Sequence, residues 1–226
     1  MQDSYKRVDA HLSSLGYCSR SESVKFLKTN SVCIEGTRIF EGSKKAYHSQ
    51  ITVDNEPLDP QTITILMNKP KGFVCSHSDG AKLIYSLLPL RYQRRNPKIS
   101  TIGRLDADTT GAILFTDNGE LNHKLTSPKS TISKVYEVTL AQNLRGDEEA
   151  IFASGTLMLN GEKKPLLAAK MQILSPMLVR LEIFEGRYHQ VKRMFGAVGN
   201  RVIELHRVSF AGYSVEDLSQ GEYKLL

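Results

Sequence analysis

What this chain lacks bounds it first. Its three cysteines, Cys18, Cys33 and Cys75, form no C-x-x-C pair and leave an odd count, so neither a disulfide framework nor a zinc cluster is written in it. The longest apolar runs, such as "TITILM" and "GAILF", fall far short of the ~20 residues that a membrane span requires. The opening "MQDSYKRVDAHLSS" holds no signal-peptide core, and a cytoplasmic protein without membrane contact is the expectation. No G-x-G-x-x-G, P-loop or metal-ligand constellation occurs, so no cofactor is expected. Ser127, His123 and Asp117 can be arranged on paper as a hydrolase triad, but no G-x-S-x-G elbow supports it. Internal repeats and low-complexity tracts are also missing.

Acid is scarce in one region only. Over residues 1 to 59 cations and carboxylates balance, whereas from 60 to 104 Asp79 alone faces Lys69, Lys71, Lys82, Arg91, Arg94, Arg95, Lys98 and Arg104. The whole chain carries +6, with a pI near 9.2 and a mean hydropathy of -0.29. Such a chain is globular and suited to a polyanionic partner. "PLRYQRRNPK" concentrates the charge around Tyr92, a pattern that phosphate contacts with a stacking aromatic would explain. A solvated loop explains it about as well.

At 226 residues the chain can bury a real core in one large domain or two smaller ones. "VDAHLSSL" places Val8, Leu12 and Leu15 on one helical face, and "GY" ends that helix. Ser19 and Glu22 have capping-box spacing for a second helix, which carries Val24 and Leu27 inward. "SVCIEG" and "ITVDNEPL" alternate as short strands around the turn region "EGSKKAYHS". The prolines of "NEPLDPQT" then mark a domain boundary, giving units of 1–58 and 59–226.

Strands and helices mix from there on. "TITILMNKPKGFVCS" reads as a strand interrupted by Pro70 and Gly72 that resumes at Phe73, and "KISTIGRLD" as a strand leading to Asp106. "GAILFT" is a buried strand. Asp117 and Glu120 cap a helix bearing Leu121 and Leu125, which Pro128 stops. "KVYEVTL" is a half-buried strand with Tyr136 on its apolar side. After Gly186 a helix sets Tyr188, Val191, Phe195 and Val198 against the sheet, and His189, Lys192 and Arg193 side by side. Gly196 continues that cationic stripe without a side chain, leaving room for close approach.

Asp106 poses the sharpest question. A carboxylate at a strand end between Leu105 and Ala107 costs several kcal/mol to desolvate alone, so if buried it needs a cation. Lys192 or Arg193 would keep it ionised and oriented, as a nucleophile requires. On these grounds alone a turn aspartate remains the commoner case. A glycosidase pair with Asp108 is disfavoured, because such carboxylates stand ~5 Å or more apart across a sugar and these two share one short turn. Asp108 is read as structural.

The motifs change the balance. "RVDAHLSSLGYCSRSESVKFLKTNSVCIEG" resembles the S4 RNA-binding module, departing from it at Thr29 to Ser31, and the resemblance implies RNA-binding roles for Arg20, Lys25 and Lys28. "GRLDADTTGAILFTDNGELNHKLTSP", "KVYEVTL" and "EGRYHQVKRMFGAVGNRVIELHR", with "LMNKPKGFVCS" and "GEYKLL" in their places, resemble the RsuA branch of bacterial pseudouridine synthases. The likeness spans essentially the whole chain. It implies an α+β protein: a small S4-like domain joined to a catalytic domain on a mixed, largely antiparallel sheet flanked by helices. It also implies an isomerase that detaches uracil from ribose, rotates it and rejoins it through C5. Asp106 then matches the catalytic aspartate, attacking ribose C1′ or, in the alternative, uracil C6. Tyr136 matches the tyrosine that stacks on the base. Lys192 matches the aspartate's basic partner, usually arginine; because lysine lacks the guanidinium fork, Arg193 stays open for that place. Arg104 fits phosphate contact or displacement of the flipped base, with a structural ion pair as the other reading. Arg187, His189 and Arg193 are further substrate contacts, and segment 69–98 with Arg187, Arg201 and Arg207 would offset the few kcal/mol of base flipping. The expected partner is ribosomal RNA, leaning to the small-subunit 16S RNA through "EGRYHQVKRM", "TSP" and "ELHR", for a monomeric enzyme. A large-subunit enzyme and a non-catalytic ribosome-assembly factor are the alternatives.

Overall fold

A computed structural model describes residues 3–77, 82–127 and 130–226. Pro128 and Asp79 lie outside the described residues. The chain packs as two units: the described parts of Met1–Ile63, Tyr85–Ser100 and Thr116–Asn118 form the first, and those of Thr64–Ile84, Thr101–Phe115 and Gly119–Leu226 the second. No helix among the described residues is long and apolar enough to cross a membrane.

The first unit contains β1 (Tyr5–Arg7), α1 (Val8–Ser14), α2 (Ser23–Thr29), β2 (Val32–Ile34), β3 (Thr37–Arg38), β4 (Lys45–Tyr47), β5 (Ile51–Val53), β6 (Glu56–Pro57) and α3 (Leu90–Gln93). Val8, Leu12 and Leu15 are buried, as their 3.6-residue spacing requires, and pack with Leu27, Val32 and Ile51. Gly16 closes α1 at φ +83°, and a Cβ there would lie 2.0 Å from the carbonyl oxygen of Arg91, so only glycine fits. The Ser19 and Glu22 box is made in both directions, Ser19 N to Glu22 Oε2 at 2.9 Å and Glu22 N to Ser19 Oγ at 3.3 Å, one turn ahead of the regular helix.

Two expectations fail here. Val24 is 59% exposed: α2 is only seven residues long and buries Ser23 and Leu27, one turn apart, leaving Val24 on the outer side with Lys25 and Lys28. The "EGSKKAYHS" turn contains a strand, β4, which pairs antiparallel with β1 and buries Ala46. The charged segment 85–100 also differs from expectation. Tyr92 is 7% exposed and Arg95 1% exposed, so neither presents itself to RNA.

His11 in α1 yields a prediction. Its Nε2 meets Ala46 O at 3.2 Å, where it must donate, and its buried Nδ1 has no partner among the described residues. Burial lowers its pKa from the ordinary 6.5, since a second proton would find no acceptor. The unfolded chain therefore binds a proton first, and stability is lost as pH falls through 6.5. Urea unfolding of wild type at about pH 7.5 and about pH 5.5 should show this loss, and His11→Gln should show a smaller one.

The second unit holds β7 (Thr64–Lys69), all but the first residue of β8 (Ser100–Ile102), all but the last of β9 (Thr110–Thr116), α4 (Gly119–Thr126), β10 (Lys134–Leu140), α5 (Glu148–Ala153), β11 (Lys170–Ser175), β12 (Leu178–Ile183), α6 (Gln190–Ala197), β13 (Val202–Phe210), β14 (Tyr213–Ser214) and β15 (Tyr223–Leu225). These strands form one sheet in the order β11-β12-β10-β13-β9-β7-β15, with β14 on β13 and β8 on β9. The β10, β11, β12 and β13 ladders are antiparallel, and β13 meets β9 in parallel. The mixed sheet with flanking helices agrees with the expected class. Leu121 and Leu125 of α4 pack on Leu66, Ala112 and Leu114, while Val191 and Phe195 of α6 are buried, Phe195 meeting Phe152 of α5 edge-on at 5.1 Å.

Three details depart from the sequence reading. Beyond β7 no strand resumes at Phe73; Val74 makes an isolated bridge to Leu83. Asp117 does not cap α4, because its carboxylate takes Ile63 N at 2.8 Å and Arg95 Nε at 2.7 Å. That commitment also removes it from any triad. Tyr188 precedes α6 and is 76% exposed, since His189 at the helix start adopts a left-handed conformation, φ 46°, that turns the preceding residue outward.

Candidate active site

The loop between β8 and β9 carries Asp106 and is held from behind. Asp106 O accepts Thr109 N at 3.1 Å, closing a tight turn. At the end of β7, Lys69 is fully buried, with Nζ donating to Thr109 O (2.8 Å), Pro70 O (3.2 Å) and Ala107 O (3.4 Å), while Gly72 N donates to Ala107 O at 2.7 Å. Lys69 thus ties the loop carbonyls and, against expectation, offers no charge to RNA. Burial lowers its pKa. At Gly111, φ +105°, a Cβ would lie 2.2 Å from Arg207 O, so glycine lets β9 approach β13 just beyond the loop.

Asp106 points toward α6. Lys192 Nζ lies 3.0 Å from its Oδ2 and His189 Nε2 3.3 Å from its Oδ1, and the carboxylate remains 35% exposed. The same Nζ reaches both oxygens of Asp108, at 2.7 and 3.0 Å. Burial alone would lower the pKa of Lys192, but the hydrogen bonds it donates to Asp108 and Asp106 outweigh that and raise the value. The Lys192 hydrogen bond lowers that of Asp108. One ammonium therefore serves two carboxylates, and the pair does not straddle an open cleft as glycosidase chemistry requires. The Tyr188 ring stacks on His189 at 3.8 Å.

Arg193 faces elsewhere. Its Nη1 donates to Glu162 Oε1 (2.9 Å) and Tyr188 O (3.1 Å), and its Nη2 to Asn160 O (2.7 Å). Of the two cations left open by the sequence, Lys192 is the one brought to Asp106. Arg187 is likewise taken up by Glu185, Glu162, Lys164 O and Pro165 O.

Beside Asp106 opens a cavity of about 410 Å³, lined by Arg104, Lys134, Tyr136, Arg187, His189, Lys192, Arg207 and apolar neighbours including Ile183, Leu205 and Phe210. Tyr136 is 7% exposed and lies directly opposite Arg207 in the β10–β13 ladder. Arg104 stands exposed on the lining, and no ion pair holds it among the described residues. Arg207 corrects the sequence reading: it is buried, with Nε donating to Ala112 O at 2.7 Å, and is no surface phosphate ligand. A Cβ placed on Gly196 would meet no atom within 4 Å outside its own helix backbone, among the described residues. Arg20 and Lys25 are exposed in the first unit. Lys134 was missed, although period-2 alternation from Tyr136 puts it on the same face. Among the described residues no group of three or more His, Cys, Asp or Glu side chains could hold a metal ion.

Residues 63–197, which carry Asp106, Tyr136 and Lys192, match the family model described as RNA pseudouridylate synthase. The chain belongs to this family, and it is an isomerase of the RsuA type that converts uridine to pseudouridine. This sets the non-catalytic alternative aside. A ribosomal small subunit pseudouridine synthase A from Yersinia pestis is 40% identical over 97% of this chain and 94% of its own length. The protein of the same description from Pasteurella multocida (strain Pm70) is 39% identical over 97% and 95%. A solved structure described as a crystal structure of pseudouridylate synthase superposes with a TM-score of 0.67 and 38% identity, covering 98% of this chain and 96% of that one.

Proposed function

We propose that this enzyme isomerises one uridine of small-subunit ribosomal RNA in the cytoplasm, with Asp106 attacking ribose C1′. The observation that carries the site assignment is the Asp106 carboxyl group, met by Lys192 at 3.0 Å and His189 at 3.3 Å beside a cavity that Tyr136 lines. Lys192 holds the carboxylate in its aim; Tyr136 stacks on the everted base; exposed Arg104 meets the backbone phosphate or fills the gap the base leaves. The 37% to 40% identity to small-subunit enzymes supports the RNA class. Residues 1–58 act as an S4-like RNA-binding module, with Arg20, Lys25 and Lys28 exposed for phosphates. The working form is a monomer.

Unmodified small-subunit and large-subunit transcripts, mapped by carbodiimide-blocked primer extension after incubation with enzyme, test this. One new stop in the small-subunit RNA and none in the other is expected. A stop only in the large-subunit RNA would move the enzyme to the other particle. Affinity should fall with salt at a log–log slope of roughly 0.7 to 0.9 per phosphate contacted.

A further inference from the structure

Two cations in the cavity wall lack what buried cations ordinarily have. Tyr136 of β10 sits opposite Arg207 of β13, and Lys134, two residues before Tyr136, faces the same side of the sheet. All three line the cavity. Arg207 is 2% exposed, and its enclosed Nη2 has no hydrogen-bond partner among the described residues. Lys134 is half-buried, and its Nζ donates to Ile132 O at 2.9 Å. Both cations approach the ring of Phe210, Nζ at 5.7 Å and the Arg207 guanidinium at 4.7 Å from its centre. Neither forms an ion pair among the described residues. Glu185, the acid that acts on Lys134, is itself held by Arg187 Nε at 3.0 Å and Leu167 N at 2.8 Å. Burial first, then the Arg207 charge, outweigh Glu185 and bring the Lys134 pKa down to about 8. Holding two like charges together, partly out of water and with no carboxylate paired to either among the described residues, costs free energy. Negative charge arriving between them would reverse that penalty.

We propose that Lys134 is a catalytic residue that holds the detached uracil as its anion, with Arg207 adding positive charge from within the wall. This rests on the reading of Asp106 as the group that attacks ribose. As an Asp106 oxygen bonds to C1′, the C1′–N1 bond breaks and its electron pair stays on the base, leaving an anion spread over N1, O2 and O4. The Lys134 ammonium donates to a carbonyl oxygen of that anion. When C5 then bonds to C1′, the Asp106 oxygen departs with its electron pair, the base becomes neutral, and the C5 proton is transferred to N1. The charge that Lys134 meets exists only between the two bond exchanges, so its contribution goes to rate more than to ground-state binding.

Single-turnover rates and RNA affinities of Lys134→Gln and Lys134→Arg, with thermal melting of each, test the proposal on an RNA that wild type isomerises. Lys134→Gln should slow conversion by about 10²- to 10³-fold while changing RNA affinity by less than about 3-fold, and Lys134→Arg should recover most of the rate. A 5-fluorouridine target detaches as a more stable anion, so the Lys134→Gln deficit in substrate consumption should shrink by about 10-fold. With the ammonium as the active form, wild-type kcat/KM should fall as pH rises through about 8, and Lys134→Arg should lose that fall. Titration of the RNA and of Lys192 is common to both proteins. Wild-type turnover in Lys134→Gln, a loss appearing wholly in RNA affinity, or an equal deficit on uridine and 5-fluorouridine would overturn the assignment. Asp106→Ala, assayed beside them on both bases, should abolish product with either, so failure of the Lys134 pattern alone is distinguishable from failure at Asp106.

Discussion

Asp106→Ala should abolish pseudouridine formation, lowering the single-turnover rate by at least about 10⁴-fold, while RNA affinity stays within about 3-fold and the protein remains folded. The geometry separates these effects. Asp106 is 35% exposed, so removing it leaves no buried group stranded, and Lys192 keeps both oxygens of Asp108 at 2.7 and 3.0 Å. A stability change under about 1 kcal/mol follows from the value of such exposed pairs. Asp106→Asn is the sharper variant, since it keeps the shape and removes the nucleophilic charge; it should be as inactive as Asp106→Ala. Asp108→Asn should lose far less, because Lys192 still meets Asp106 at 3.0 Å. Product mapping and filter binding on the same RNA read the split. Turnover within about 10-fold of wild type in Asp106→Asn would remove Asp106 from the chemistry.

The site was more legible than its surroundings, and the reasons are physical. Spacing along a helix is fixed, so the sequence limited the cation to Lys192 or Arg193 but could not choose, because the choice depends on Glu162 and Asn160 capturing Arg193 from a distant loop. Alternation identified the buried side of β10 and hence Tyr136. Helical spacing misled at Tyr188, where a left-handed residue ahead of the helix breaks the phase. Charge was the poorest guide. Lys69, Arg95 and Arg207 read as surface cations because such residues seldom lie inside proteins unpaired. Their acceptors are loop carbonyls, a distant aspartate and a neighbouring strand, and only the folded chain brings these together. Two-residue and three-residue strands such as β4 carry too little pattern to be seen in a turn as polar as "EGSKKAYHS".

The largest effect on stability should come from Arg95. The side chains of Arg95 and Asp117 are 1% and 2% exposed and meet at 2.7 Å. Arg95 Nη2 also donates to Pro60 O at 2.8 Å and Gln61 O at 2.9 Å, while the second Asp117 oxygen takes Ile63 N at 2.8 Å. Three segments far apart in sequence, 60–63, 85–100 and 116–118, are thereby joined inside the first unit. Arg95→Ala leaves the Asp117 carboxylate buried without its cation and two carbonyls without their donor, a loss of about 3–5 kcal/mol. Asp117→Ala strands the guanidinium, whose Nη1 already lacks a partner among the described residues, at a similar cost. The double variant Arg95→Met with Asp117→Leu restores volume and removes both charges, so it should unfold at higher urea than either single variant. That ordering, read by denaturation with a fluorescent or circular dichroism signal, distinguishes a charge pair from mere packing: if the interior needed only bulk, the two losses would add, whereas a buried ion pair makes the second substitution relieve what the first exposed.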